Sequence, residues 1–341
     1  MSPGPVDDEA WMAEAVTAGA GVRTTTSPNP WVGAVVVPDG GGAVHHGATR
    51  PPGGAHAEVV ALTAAGPEAR GATVYVTLEP CAHHGRTPPC TDALVAAGVA
   101  RVVVALEDPD PHVSGAGIAA LRAAGIRVDV GPGSVPAGAS LAPYLVHRRT
   151  GRPYVVLKLA ATLDGRIAAP DGTSRWITSA EARVDAHRLR AESDAIAVGA
   201  GTVRADDPQL TVRDAGGREV PGASPRRVVL GRARPGARVH PALQHTGPLF
   251  PLLDRLGAEG VLQLLVEGGA SVAHRFHAEG LVDRYVVYLA PALLGGDDGV
   301  SMFAGPGAAT MADVWRGRVV ALARLGPDIR IDVVAGDGLG D

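Results

Sequence analysis

Lysine is all but absent from this 341-residue chain: of 31 basic residues, 30 are arginine and only Lys158 carries an ammonium. Cysteine is nearly as scarce, with Cys81 and Cys90 the only two, which excludes the disulfide framework that small secreted domains depend on. No apolar run approaches the roughly 20 residues that cross a bilayer, so a helical membrane protein is excluded. Positive charge is not in excess. A formal net charge of −4 argues against both a non-specific nucleic-acid binder and a membrane-surface protein. The opening Met1-Ser2-Pro3-Gly4-Pro5-Val6-Asp7-Asp8-Glu9 lacks the apolar stretch of a secretory signal, so a cytoplasmic location with reduced thiols is expected. Glycine (46) and proline (28) are plentiful, yet hydrophobic residues make up 46% of the chain, which points to compositional bias and not to disorder.

What is present is more telling. His56-Ala57-Glu58 is followed by Pro80-Cys81 and then by Cys90. One imidazole and two thiolates fill three positions of a tetrahedral Zn²⁺ and leave the fourth for water. Glu58, two residues after the histidine, is placed to move protons for that water without ligating the ion. The pattern is that of hydrolytic deamination of an amino group on a nitrogen heterocycle, although the usual spacing of the two cysteines is only two intervening residues. Here Ala82-His83-His84-Gly85-Arg86-Thr87-Pro88-Pro89 separates them. The competing readings, a disulfide or a pair of inert buried thiols, leave His-Ala-Glu unexplained. His45 and His46 fall in a predicted hairpin strand and carry no catalytic reading.

The chain is long enough for two domains. The first reads as a helix at 8–20, a hairpin of Trp31–Val37 and Ala43–Gly47 around Pro38-Asp39-Gly40-Gly41-Gly42, and a helix at 55–65 with His56 and Glu58 in its first turn. Strands at 72–78, 101–106 and 126–130 then alternate with helices at 91–97 and 117–124, which predicts a largely parallel sheet covered on both faces. Its ligands fall at strand ends and helix starts, where a helix dipole favours the Cys81 thiolate. Residues 131–136 have linker composition, 148–153 form a second break, and the boundary is placed near 148. Beyond it, strands at 154–161, 194–198, 227–230, 262–266 and 284–289 alternate with helices at 180–192, 248–257 and 270–279. A terminal hairpin is formed by 319–324 and 329–334. Lys158 continues an apolar strand, where an ammonium without a partner is costly and is expected to meet substrate or a carboxylate.

With these residues in view, the chain resembles the bifunctional deaminase–reductases of riboflavin biosynthesis over nearly its full length. The first half carries Pro28-Asn29-Pro30-Trp31-Val32-Gly33, His56-Ala57-Glu58-Val59, and Tyr75 to Cys90 with its long cysteine spacing around His83-His84-Gly85-Arg86-Thr87-Pro88-Pro89. The second half carries Leu157-Lys158-Leu159-Ala160-Ala161-Thr162-Leu163-Asp164-Gly165-Arg166, Trp176-Ile177-Thr178-Ser179, Gly201 to Pro208, Glu267-Gly268-Gly269 and Ala290 to Gly296. The resemblance implies an α/β protein: an N-terminal cytidine-deaminase-like α/β/α domain (1–147) and a C-terminal dihydrofolate-reductase-like α/β domain (148–341). It implies Zn²⁺ and NADPH as cofactors and a pyrimidine ribosyl phosphate as substrate. A homo-oligomer, dimer or tetramer, is expected.

Carried over residue by residue, the metal ligands are His56, Cys81 and Cys90, and the catalytic groups are Glu58, Lys158 and Asp206. Asn29 is either a reader of the substrate's polar edge or a turn-forming asparagine. His83, Arg86 and Thr87 belong to a loop that closes over pyrimidine and phosphate. Ser174, Arg190, Leu210, Arg213 and Glu267 match substrate positions, the two arginines being suited to a phosphate. Ala160, Trp176, Thr202 and Asp206 match NADPH contacts, with Gly268, Gly269, Ala270 and Ser271 opening a helix as a pyrophosphate cradle. Two departures stand out. The region from about 232 to 260 is shortened, as if a strand–helix unit at the cofactor's adenosine end were missing, and Gly231-Arg232 replaces an acidic residue followed by Ser or Thr. The alternative is therefore a deaminase whose C-terminal domain has lost reduction and serves as an oligomerisation scaffold.

Overall fold

In the computed structural model, residues 5–85, 87–111 and 113–336 are described, and the chain divides into two compact units, 1–151 and 152–341. The first unit contains α1 (Pro5–Ala20), α2 (Arg23–Thr26), β1 (Gly33–Val37), β2 (His45–Ala48), α3 (Ala57–Ala65), β3 (Thr73–Val76), α4 (Cys90–Ala97), β4 (Arg101–Val104), α5 (Ala116–Ala123), β5 (Arg127–Val130) and α6 (Ser134–Thr150). Its sheet runs β2-β1-β3-β4-β5. The β1–β2 hairpin and the β1–β3 pair are antiparallel, whereas β3, β4 and β5 are parallel.

Strand alternation sends Val35, Tyr75 and Val103 to one face, where they pack with Met12 and Ala15 of α1 and Ala137 of α6. Their neighbours Val36, Val74, Val76, Val102 and Val104 are equally buried on the other face. The near-continuous valine runs thus follow from a sheet covered on both sides. One polar joint interrupts this core. Arg101 at the start of β4 makes two hydrogen bonds of 2.8 Å to Asp8 of α1 and one of 2.6 Å to Asp129, and Tyr75 donates to Asp8 at 2.9 Å.

The second unit contains β6 (Tyr154–Thr162), β7 (Arg166–Ala168), α7 (Ala180–Ala191), β8 (Ala195–Gly199), α8 (Ala200–Asp206), β9 (Arg226–Leu230), β10 (Leu243–His245), α9 (Leu249–Ala258), β11 (Gln263–Val266), α10 (Ala270–Ala278), β12 (Arg284–Ala290), β13 (Val300–Ser301), β14 (Gly317–Leu325) and β15 (Asp328–Ala335). The main sheet is ordered β10-β9-β8-β11-β6-β12-β15-β14. It is parallel from β10 to β12 and antiparallel through the terminal β14–β15 hairpin. Leu252 and Leu256 of α9 and Phe276 of α10 pack on Val155, Leu157, Ala197 and Leu264 on one face.

One element differs from the sequence reading. Residues 131–136 are not a linker, because α6 begins at Ser134 and continues through Pro143 to Thr150. Pro136 lies in the first turn, where no intrahelical N–H is required. The stretch read as shortened holds the three-residue β10, paired in parallel with β9, and then α9, which matches the helix expected at 248–257.

Candidate active sites

In the first unit, β3 runs into Glu79-Pro80-Cys81, and its neighbour β1, being antiparallel, starts beside that exit at Gly33. Thr77 Oγ1 accepts the Gly33 N–H at 3.1 Å. The loop holding Asn29 therefore emerges at the same sheet edge as Cys81. Glu79 anchors this edge. Its buried carboxylate accepts four backbone N–H groups, from Gly117 (2.8 Å), Gly115 (2.9 Å), Ile118 (3.1 Å) and Asp108 (3.2 Å). Three of these belong to the start of α5, whose N-cap Gly115 has no side chain to cap it. Gly117 must be glycine here, since a Cβ would stand 1.9 Å from the Pro80 carbonyl oxygen. Sequence reasoning missed Glu79, whose partners lie some 30 to 40 positions downstream and leave no local signal.

Cys81 is held on its other side by α4. The Cys90 N–H, first in that helix, donates to Cys81 Sγ at 3.4 Å, and the Thr91 N–H donates to the Cys81 carbonyl at 3.2 Å. The helix thus starts at Cys90, and its dipole reaches the Cys81 sulfur through that amide. His56 is the N-cap of α3 and precedes its first turn, while Glu58 lies inside it. His56 Nδ1 lies 3.2 Å from Cys90 Sγ and 3.6 Å from Cys81 Sγ, and the three ligand atoms fall within 4.8 Å of one another. Bonds of 2.0–2.3 Å around a tetrahedral zinc place its ligand atoms about 3.5–3.8 Å apart, so this donor set fits the ion. Both cysteines are free thiols, not a disulfide.

The electrostatics agree with that geometry. The Cys90 hydrogen bond, the His56 contact and the backbone amide pull the Cys81 thiol down to about 4 against the opposing effect of burial. The same sulfur pair pushes Cys90 upward. Glu58 is buried at 3% exposure, and that desolvation lifts it to about 6. Thr87 Oγ1 is 3.5 Å from His56 Nε2, whereas His83 is exposed. Arg86 lies outside the described residues.

In the second unit, Lys158 and Ala160 of β6 share the face that looks toward α7. Glu267 follows β11 and stands beside Lys158, because Val266 pairs with Leu157. Arg190 of α7 grips Glu267 with two hydrogen bonds of 2.7 and 2.9 Å and also donates to the Thr211 carbonyl at 3.1 Å. Burial alone would raise the Glu267 carboxyl, but the Arg190 charge and hydrogen bonds overcome it and hold it at about 2. Arg190, read as suited to a phosphate, is engaged with Glu267 in this structure. Arg213 is engaged as well, with Gln209 Oε1 at 2.7 Å and the Gly217 carbonyl at 2.9 Å. Leu210, buried with φ of 54°, sits on the segment that Thr211 ties to Arg190.

The cofactor-binding set forms two groups. Gly268-Gly269 leads into α10, whose first turn has no side-chain cap, and Thr202 Oγ1 lies 3.8 Å from where a Gly269 Cβ would stand. Backbone amides of Ala270 and Ser271, a neighbouring hydroxyl and the absence of side chains at 268–269 fit a pyrophosphate. Asp206, the last residue of α8, takes Arg175 at 3.3 Å, and both Arg175 and Arg183 lie against the exposed Trp176 ring. Ser174 is half-buried two residues before Trp176. Arg234 is paired with Asp207 at 3.2 Å.

A cysteine–histidine metal site with a buried acid on one α/β unit, followed by a mostly parallel α/β unit with a lysine–glutamate edge, defines a two-domain deaminase–reductase. Comparison with known proteins agrees. The cytidine and deoxycytidylate deaminase zinc-binding region matches residues 5–106, and the RibD C-terminal domain matches 153–330. The riboflavin biosynthesis protein RibD of Escherichia coli K12 is 40% identical over 370 residues, covering 96% of this chain and 100% of that protein. That of Mycobacterium tuberculosis H37Rv is 43% identical over 337 residues, covering 96% and 97%. The solved structure of Acinetobacter baumannii RibD, form 1, aligns with a TM-score of 0.89 at 38% identity, covering 97% of this chain and 99% of that one. A Thermotoga maritima structure described as a diaminohydroxyphosphoribosylaminopyrimidine deaminase/5-amino-6-(5-phosphoribosylamino)uracil reductase aligns at 0.85 and 32%, covering 96% and 98%. The chain belongs to the RibD family of riboflavin biosynthesis, with a zinc-binding deaminase domain followed by a reductase domain.

Proposed function

We propose that this chain performs two consecutive steps: hydrolytic loss of the 2-amino group from 2,5-diamino-6-(5-phosphoribosylamino)pyrimidin-4-one, then NADPH reduction of the ribosyl side chain to ribityl. The observation that carries the first step is the convergence of His56 Nδ1 and the two sulfurs within 4.8 Å, with the buried Glu58 on the same helix start. These three side chains would hold Zn²⁺, which when bound makes hydroxide available near neutral pH. Glu58 carries protons between the attacking water, the ring nitrogen beside C2 and the departing amine, for which a carboxyl near 6 is suited. Asn29, on the same sheet edge, and the loop bearing His83, Arg86 and Thr87 surround the pyrimidine.

For the second step, NADPH supplies the hydride when bound. Gly268, Gly269, Ala270 and Ser271 would cradle its pyrophosphate, with Ala160, Trp176, Thr202 and Asp206 toward the nicotinamide. Lys158 holds the ribose hydroxyls beside Glu267, with Ser174, Leu210 and Arg213 lining the sugar phosphate. Arg190 belongs to the same substrate set and also holds Glu267 in place. The exposed edge strand β14, with Val319 and Leu322 uncovered, supports a homo-oligomer. Two reduced thiols support a cytoplasmic setting.

Glu58→Gln tests the reading. The variant is expected to keep one zinc per chain and lose deaminase turnover by about 10²- to 10⁴-fold, while still oxidising NADPH with the deaminated intermediate. Undiminished deamination would remove Glu58 from the reaction, and absence of zinc from the wild-type protein would remove the metal site.

A further inference from the structure

The only lysine in the chain has no carboxylate of its own. Glu267, its nearest acidic neighbour along the sheet, gives both oxygens to Arg190. Among the described residues, no ion pair to Lys158 occurs. What meets its ammonium is an aromatic face, since Lys158 Nζ stands 5.6 Å from the Tyr288 ring centroid. The register explains why: Val286 pairs with Lys158 and Tyr288 with Ala160, so the tyrosine lies diagonally beside the lysine on the same side of the sheet.

The ring itself is fixed from behind. Tyr288 is 1% exposed and donates its hydroxyl to Asp185 Oδ2 at 2.7 Å. Arg330 grips the same oxygen at 2.6 Å and is held in turn by Asp332 at 2.8 and 3.0 Å. A charged network spanning α7 and β15 therefore locks the phenol whose ring the Lys158 ammonium stands over.

We propose that Tyr288 is a positioning residue for Lys158 in the reduction step. Its π-face steadies the ammonium while leaving all three N–H donors free for the sugar. A carboxylate partner would attract the cation as well, but it would also occupy those donors. Arg190 completes the device by keeping Glu267 from pairing with the lysine. The proposal rests on the reading that Lys158 meets the ribosyl substrate.

Replacing Tyr288 with Leu removes the ring, and replacing it with Phe restores the ring without the hydroxyl. In the full-length protein, Tyr288→Leu is expected to lower kcat/KM by about five- to tenfold through a raised KM for the ribosyl substrate. The KM for NADPH should stay within about twofold of wild type, and Tyr288→Phe should recover most of the loss. Wild-type behaviour of the leucine variant, equal losses in both variants, or a parallel rise of both KM values would each overturn the proposal. Isotope labelling of lysine gives a second readout that does not depend on any variant folding, because only Lys158 is observed. Its side-chain methylene signals are expected upfield of free lysine, shielded by the ring; signals at the free position would equally overturn the proposal. Loss of the underlying reading is distinguishable, since Lys158→Met would then leave reduction intact.

Discussion

Removing the Glu79 carboxylate tests whether the exit of β3 is built as described. Glu79→Ala leaves four backbone N–H groups without their acceptor, two of them in the first turn of α5. Each buried donor left unmatched costs about 1–3 kcal/mol. Water entering the vacated space recovers part of this, so a net loss of about 3–5 kcal/mol is expected. For a unit of this size that lowers the midpoint of unfolding by on the order of 10 °C. Glu79→Gln keeps the volume but turns an amide N–H toward some of the same donors, and should cost roughly half as much. Calorimetry of the full-length chain is the assay, with any separate transition of the reductase unit as an internal control. Because Pro80 and Cys81 follow directly, zinc affinity measured by chelator competition should weaken in parallel. A destabilisation below about 1 kcal/mol for the alanine variant would refute the reasoning, since solvent would then be satisfying those amides as well as the carboxylate does.

Three further outcomes are expected. Cys81→Ser and Cys90→Ser should each reduce bound zinc to well below one per chain by metal analysis while leaving NADPH oxidation intact. Lys158→Met should abolish most ribosyl reduction, and the deaminated intermediate should then accumulate when the first substrate is supplied. Glu267 is held at about 2 by Arg190, below an ordinary value near 4.5. Its contribution, on the order of 3 kcal/mol, is thus fully present above about pH 4.5 and disappears as pH falls toward 2. The stability gap between wild type and Glu267→Gln, followed by urea unfolding across that window, should close with acid. A gap that does not narrow would contradict the pairing.

Periodicity and turn chemistry made most of the architecture legible. The valine-rich runs marked buried strands, and Pro38-Asp39-Gly40-Gly41-Gly42 marked the first hairpin. The α6 helix was hidden because Pro132, Pro136 and Pro143 mimic a linker, although two of these lie where a helix bears them: one ahead of it and one in its first turn. The cluster of His56, Cys81 and Cys90 was readable from residue type and spacing, and the helix read at 91–97 starts one residue earlier, at Cys90, although nothing before it signals a cap. Arg190 was read as suited to a phosphate, but its ion pair with Glu267 was not legible, because a guanidinium advertises its chemistry and not its partner. The partner lies 77 positions away, and only the fold brings them together.

The joint at Asp8 bears on how much of the first helix the fold requires. A second methionine, Met12, lies four residues beyond it within α1. Initiation there would give a product without the carboxylate that takes two of Arg101's hydrogen bonds under the sheet, leaving that guanidinium with Asp129 alone. The first helix is therefore fastened to the far side of the sheet by charge as well as by its apolar face.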